Sequence, residues 1–163
     1  LEQIERTKRY LKKLEHIYAG IFSSTGHDKD AYDDEVISFF IHCHHIRDWI
    51  VHLNKVGVTA RQVDAYIDSQ RALRICADLA NGSKHCKLTR SLRSNRQPHI
   101  VGKERHTSIW LTGGGGGEVM KSKYTVVCNT ELIDALELAT ECVQLWESYT
   151  SELKMLSFNS EEN

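Results

Sequence analysis

Between residues 36 and 53 the chain carries an almost unbroken apolar seam. Val36, Phe39, Cys43, Ile46, Ile50 and Leu53 recur at spacings of three and four, and Ile37, Phe40 and Val51 widen the stripe. A helix apolar over so much of its circumference cannot sit on a surface and has to be central among other helices. The seam therefore predicts a helical bundle with this segment, about Asp30 to Asn54, inside it.

Three further segments qualify as its neighbours. Ile4, Leu11, Leu14, Tyr18 and Ile21 predict a first helix from about Ile4 to Phe22. Thr59-Ala60-Arg61-Gln62 reads as a capping box opening a third helix, with Val63, Tyr66, Leu73, Ala77 and Ala80 buried and Asn81-Gly82 as its stop. Thr130, with Glu131 and Asp134 in its first turn, starts a fourth. Its stripe is Leu132, Leu136, Ala139, Cys142, Trp146, Tyr149, Leu153 and Leu156. Between the last two, residues 107–112 and 119–127 are rich in β-branched and aromatic residues around Gly113 to Gly117, a β-hairpin pattern with a flexible tip. No Lys-Ser/Thr helix start follows those glycines, so they are not a phosphate loop.

The expected fold is mainly α: one domain over residues 1–163, a four-helix bundle (1–86 and 129–157) with a basic β-hairpin insertion (87–128) between helices 3 and 4. At 163 residues it is long enough to bury a core, and no apolar run approaches the length of a membrane span. Leu1-Glu2-Gln3 does not read as a signal peptide. Cysteines 43, 76, 86, 128 and 142, odd in number and mostly in apolar positions, read as reduced thiols of a cytoplasmic protein. His45, Asp48 and His52 share a helical face, with His42 nearby, but that face points away from the seam and there is no CxxC pair. No metal and no cofactor is expected.

The formal charge of −1 hides a segregation. From Lys84 to Lys123 nine lysines and arginines stand against two acids, a net +7, which leaves the remainder at −8. A basic stretch on an acidic body points to an anionic partner, nucleic acid above all, with no membrane involved. Lys87, Arg90, Arg93, Arg96, Lys103, Arg105, Lys121 and Lys123 are the expected contacts. Few aromatics lie among them to stack bases, so binding should run through phosphates and be salt-sensitive. The competing reading is a solvated loop that offsets the acidic helices beside it.

The densest polar cluster adjoins this stretch. Arg74, Asp78, Asn81 and His85 fall within about 60° of one another on a helix, flanking its apolar face. Lys84 is adjacent, and His44 lies on the flank of helix 2. Polar groups at the edge of a core need partners, and several together make a pocket. The structural alternative takes Arg74 and Asp78 as an i,i+4 pair, Asn81-Gly82 as a helix end and His85 as the start of a loop.

The string Asp78-Leu-Ala-Asn-Gly-Ser-Lys-His85, near the end of a long helix in an otherwise helical chain, resembles motifs of the HEPN superfamily of small helical prokaryotic proteins. The resemblance implies a metal-independent endoribonuclease of a toxin, defence or stress system, or an inactive RNA-binding relative. Such proteins place an arginine four to six residues before a histidine. No arginine stands so before His85; the spacing recurs at Arg47…His52 and Arg93…His99, and more loosely at Arg9…His16.

Cleavage would proceed by attack of a 2′-hydroxyl on the neighbouring phosphate. His85 or His44 would be base or acid, Lys84 or Arg74 the fixed positive charge, and Asp78 or Asn81 the group orienting the imidazole. A reading from a different class is a non-enzymatic helical module that self-associates as a dimer or binds a protein partner. Trp146, Tyr149 and Leu156 would extend beyond the core for that purpose.

Overall fold

The structure, a computed structural model, describes residues 1–21, 29–53, 57–84, 91–112 and 115–161. The protein is mainly helical, with one small antiparallel sheet. In chain order the elements are α1 (Glu2–Ala19), α2 (Lys29–Leu53), α3 (Ala60–Ser69), α4 (Arg71–Lys84), β1 (His99–Thr112), β2 (Gly115–Cys128), β3 (Glu131–Asp134) and α5 (Ala135–Glu161). The sheet order is β1-β2-β3. Among the described residues no helix is long and apolar enough to cross a membrane.

The apolar seam behaves as its pattern demands. Val36, Phe39, Phe40, Cys43, Ile46 and Ile50 are buried, and α2 packs against α1, α3, α4 and α5. Leu53, at the end of the stripe, is exposed. α1 closes at Gly20, whose left-handed φ of 75° lets its N–H reach back to the carbonyls of His16 and Ile17. Near the start of α1, buried Gln3 donates from Nε2 to the His42 carbonyl at 2.8 Å, tying α1 to α2.

Three departures from the sequence expectation have local causes. The single third helix is two helices. The Thr59 capping box forms as read, but the chain turns extended at Gln70 (φ −107°, ψ 115°). The Gln70 carbonyl then accepts from Arg74 N to begin α4, and Ser69 Oγ satisfies the Tyr66 carbonyl left open at the break. The described residues accordingly form five helices rather than four. Asn81-Gly82 does not stop α4, which runs on to Lys84.

The last helix starts at Ala135, not Thr130. Residues 131–134 pair with the end of β2 instead, Thr125 opposite Asp134 and Cys128 opposite Glu131. Asp134 then caps α5, its Oδ1 accepting from Leu136 N at 2.8 Å and Glu137 N at 3.1 Å. Leu132, expected in the buried stripe, faces solvent at 74% exposure because the strand turns it outward.

The hairpin is longer than expected, 14 residues in each strand, with His99 opposite Val127 and Thr112 opposite Gly115. Its base is also part of the core rather than an excursion from it. Tyr124 and Val126 are buried, together with Ser122 and Cys128. The Tyr18 hydroxyl accepts from Tyr124 N at 3.0 Å and donates to its carbonyl at 3.1 Å, while the Tyr124 hydroxyl donates to Asp33 at 2.9 Å. β2 is thereby pinned to both α1 and α2.

Candidate anion site and buried thiol cluster

The segment joining α4 to β1 is held by two carboxylate anchors. Asp78, 3% exposed on α4, accepts from Ser94 N at 2.7 Å, Ser94 Oγ at 2.6 Å and Arg93 N at 3.2 Å. A carboxylate with several acceptor positions can cap a loop in this way while staying buried. Asp64 on α3 provides the second anchor. It pairs with Arg93 Nη2 at 2.9 Å, and with Arg47 Nε and Nη2 at 2.8 and 2.7 Å in a bidentate fork. Arg93 also pairs with Asp68, one turn further along α3. The Arg47 hydrogen bonds hold the Asp64 carboxyl below the usual carboxylate range, Arg93 adding to the effect, and the same contacts raise Arg47 further.

These anchors reassign several predicted site residues. The Asp78 oxygens are engaged with the backbone and hydroxyl at 93–94, and His85, whose imidazole it was expected to orient, lies outside the described residues. Arg93 is not an open phosphate contact, since two aspartates neutralise it. Arg47, from one of the arginine–histidine pairs, is committed to Asp64 and Asp48, and His52 is exposed at the end of α2. Asn81 is half-buried on α4. His44 is half-buried on α2, on the same side as Ile37 and Phe40. Those two residues line a cavity of about 230 Å³ with Leu79, Gly82, Pro98 and His99.

Of the basic stretch, Arg96, Lys121 and Lys123 are exposed. Lys123 sits opposite Glu104, and Lys121 opposite His106. His85, Lys87 and Arg90 lie outside the described residues, as do the side chains of Lys84, Lys103 and Arg105.

Arg74 is different. It lines a second cavity, about 100 Å³, between the first turn of α4 and the β2–β3 corner, with Arg71, Arg93, Asn95, Asn129 and Glu131. Arg71 is paired with Glu131, and Arg93 with its aspartates. The Arg74 side chain has no hydrogen bond or ion pair among the described residues, and its Nε is buried without an acceptor. The first turn of α4 contains no acid and two arginines, the reverse of what stabilises a helix N-terminus. Asn95 and Asn129, at φ 73° and 58°, turn the chain at the rim in the left-handed conformation asparagine tolerates. Three arginines line the concavity, Arg71 paired to Glu131 within it, Arg93 to its aspartates and Arg74 without a partner among the described residues, which leaves it positive and sized for a small oxyanion.

A second arrangement lies in the core. Cys43 of α2, Cys76 of α4 and Cys142 of α5 are fully buried, with their sulfurs all within 4.8 Å of one another. Cys76 donates to the Phe40 carbonyl at 3.6 Å and Cys142 to that of Ala72 at 3.5 Å. Burial opposes ionisation of Cys43, but hydrogen bonding from Cys142 and Cys76, with the Trp146 indole close by, outweighs it and lowers the Cys43 thiol. The neighbouring sulfurs push Cys76 up, and burial pushes Cys142 up. The sequence showed each cysteine only as one position on an apolar stripe. Three stripes converging on one point is a tertiary fact. The expected histidine face is dispersed by comparison, with His45 half-buried and Asp48 paired to Arg47.

Two of the three residues expected to reach a protein partner pack against the molecule itself. Trp146 is 1% exposed, and Tyr149 stacks on Tyr66 with ring centroids 4.2 Å apart. The side chain of Leu156 lies outside the described residues.

No family model, curated protein or solved structure matches the chain.

Proposed function

We propose that the protein acts on RNA as a HEPN-like, non-cleaving binder that holds the sugar-phosphate backbone at the Arg74 concavity, with Arg96, Lys121 and Lys123 as outlying phosphate contacts. The observation that carries this reading is the Arg74 guanidinium, which has no partner among the described residues. A half-buried cation with an orphaned Nε lowers stability unless something binds it. A phosphate oxygen supplies the missing acceptor, and Asn95 is an exposed neutral side chain at the rim, whereas the Asn129 amide is engaged with the Ser94 carbonyl.

Holding is favoured over cutting for two reasons. Asp78 is occupied by the 93–94 segment, and among the described residues no histidine lines the Arg74 concavity. Incubating the full chain with mixed RNA in EDTA separates the outcomes. The expected result is retarded RNA of unchanged length. Chelator-resistant cleavage that disappears in His85→Ala would replace this reading with an endoribonuclease. Absence of binding at low salt would remove RNA altogether.

A further inference from the structure

The sulfurs of Cys43, Cys76 and Cys142 form a converging, sulfur-only triad supplied by three different helices, and we infer that it is a binding site for a thiophilic d10 metal ion, Cu(I), in three-coordinate geometry. A metal at about 2.3 Å from each of three thiolates places the sulfurs about 4.0 Å apart. The triad already lies within 4.8 Å in every pair, so ligation requires only a sub-ångström contraction. A disulfide would use two of the sulfurs, bring them to about 2.05 Å and strand the third.

The donor set also selects the ion. Thiolates alone favour Cu(I) among biological metals. Zinc completes a structural site with four ligands, and among the described residues no fourth histidine, cysteine or carboxylate joins the group.

A second observation points the same way. The Trp146 indole Nε1 is buried close to Cys43, yet no atom among the described residues meets it in full hydrogen-bond geometry. Buried donors are nearly always paired, and a metal-bound thiolate is an acceptor for it. Cysteine as a small apolar filler explains any one of these residues. It does not explain three sulfurs at one point beside an orphaned donor. Each thiol that ligates gives its proton to solvent as its S–Cu bond forms, and the copper stays Cu(I), so no oxidant or reductant is consumed.

The test uses the full chain, reduced and anaerobic, with Cu(I) offered in competition with the chromophoric chelator bathocuproine disulfonate. One copper per chain should leave the chelator, and X-ray absorption of the loaded protein should show three sulfurs at about 2.3 Å. Cys43→Ala, Cys76→Ala and Cys142→Ala should each weaken binding by at least about 100-fold, Cys128→Ala should leave it unchanged, and Trp146→Phe should weaken it by about 10-fold. Circular dichroism establishes that the variants fold, and the wild-type absorption spectrum gives the ligand set without any variant. Copper that stays with the chelator overturns the inference. So does copper bound through nitrogen or oxygen, or binding indifferent to the three alanine variants. One-to-one Zn(II) uptake in preference to Cu(I) overturns the choice of ion.

Discussion

Asp78→Ala is the perturbation that most sharply separates an anchor from a catalytic group. The carboxylate is 3% exposed and accepts from Ser94 N, Ser94 Oγ and Arg93 N. Hydrogen bonds to a charged group contribute about 1.5–3 kcal/mol, and each buried amide left without a partner costs about 1–3 kcal/mol. Allowing for partial rescue by water, the loss should be about 3–5 kcal/mol, a large fraction of the total stability of a domain this size. A melting temperature lower by roughly 6–20 °C follows. Ser94→Ala removes one donor and should cost about 1–2 kcal/mol. Because both act through the same contact, the double variant should lose less than the sum of the singles, by about 1 kcal/mol or more. Chemical denaturation of the four proteins measures this. Additive losses, or an Asp78→Ala variant as stable as wild type, would refute the anchoring role.

Other expectations follow from the same contacts. Asp64→Asn should cost about 1–2 kcal/mol, since it leaves Arg47 and Arg93 half-buried with only Asp48 and Asp68 for compensation. Because the folded state depresses the Asp64 pKa, its stabilisation is complete above the unfolded value and disappears as pH falls through the folded one, so acid titration of Asp64→Asn should show a shallower decline. His42 contributes in the same direction at higher pH. Burial and nearby His45, Arg6 and Lys13 lower its pKa, so stability should fall as pH drops below about 6.5 toward the lower folded value, and His42→Gln should flatten that window. Tyr18→Phe should cost about 1–2 kcal/mol in denaturant melts by unpairing both backbone groups of Tyr124, with no change in helical signal from α2.

Much of the helical plan was legible because the α2 seam and the Thr59 capping box are local signals. The break at Gln70 was not, because neither glycine nor proline marks it and the apolar positions of α3 and α4 keep a continuous period. Residues 131–134 read as helix because Leu132 and Ile133 fit the stripe; only the pairing of this segment with the end of β2 makes it a strand. The site was half visible. Arg74, Asp78 and the basic stretch stood out, yet their roles depended on Asp64 and Asp68, two ordinary aspartates one helical turn apart that consume Arg93. Charge counts show excess, not pairing. For the same reason they singled out eight cations equally, whereas the half-buried guanidinium without a partner among the described residues is that of Arg74 beside them.

The central claim is that Arg74 is kept for an RNA phosphate rather than for stability. Fluorescence anisotropy of a labelled single-stranded RNA, titrated with wild type and Arg74→Gln between 50 and 200 mM salt, tests it directly. Loss of one charged phosphate contact should weaken binding about 10- to 100-fold at low salt and reduce the slope of log K against log salt by about 0.7. The variant should melt no lower than wild type, since its orphaned buried donor is gone. Equal affinity and equal slope, or a variant that binds poorly because it has lost stability, would contradict the account.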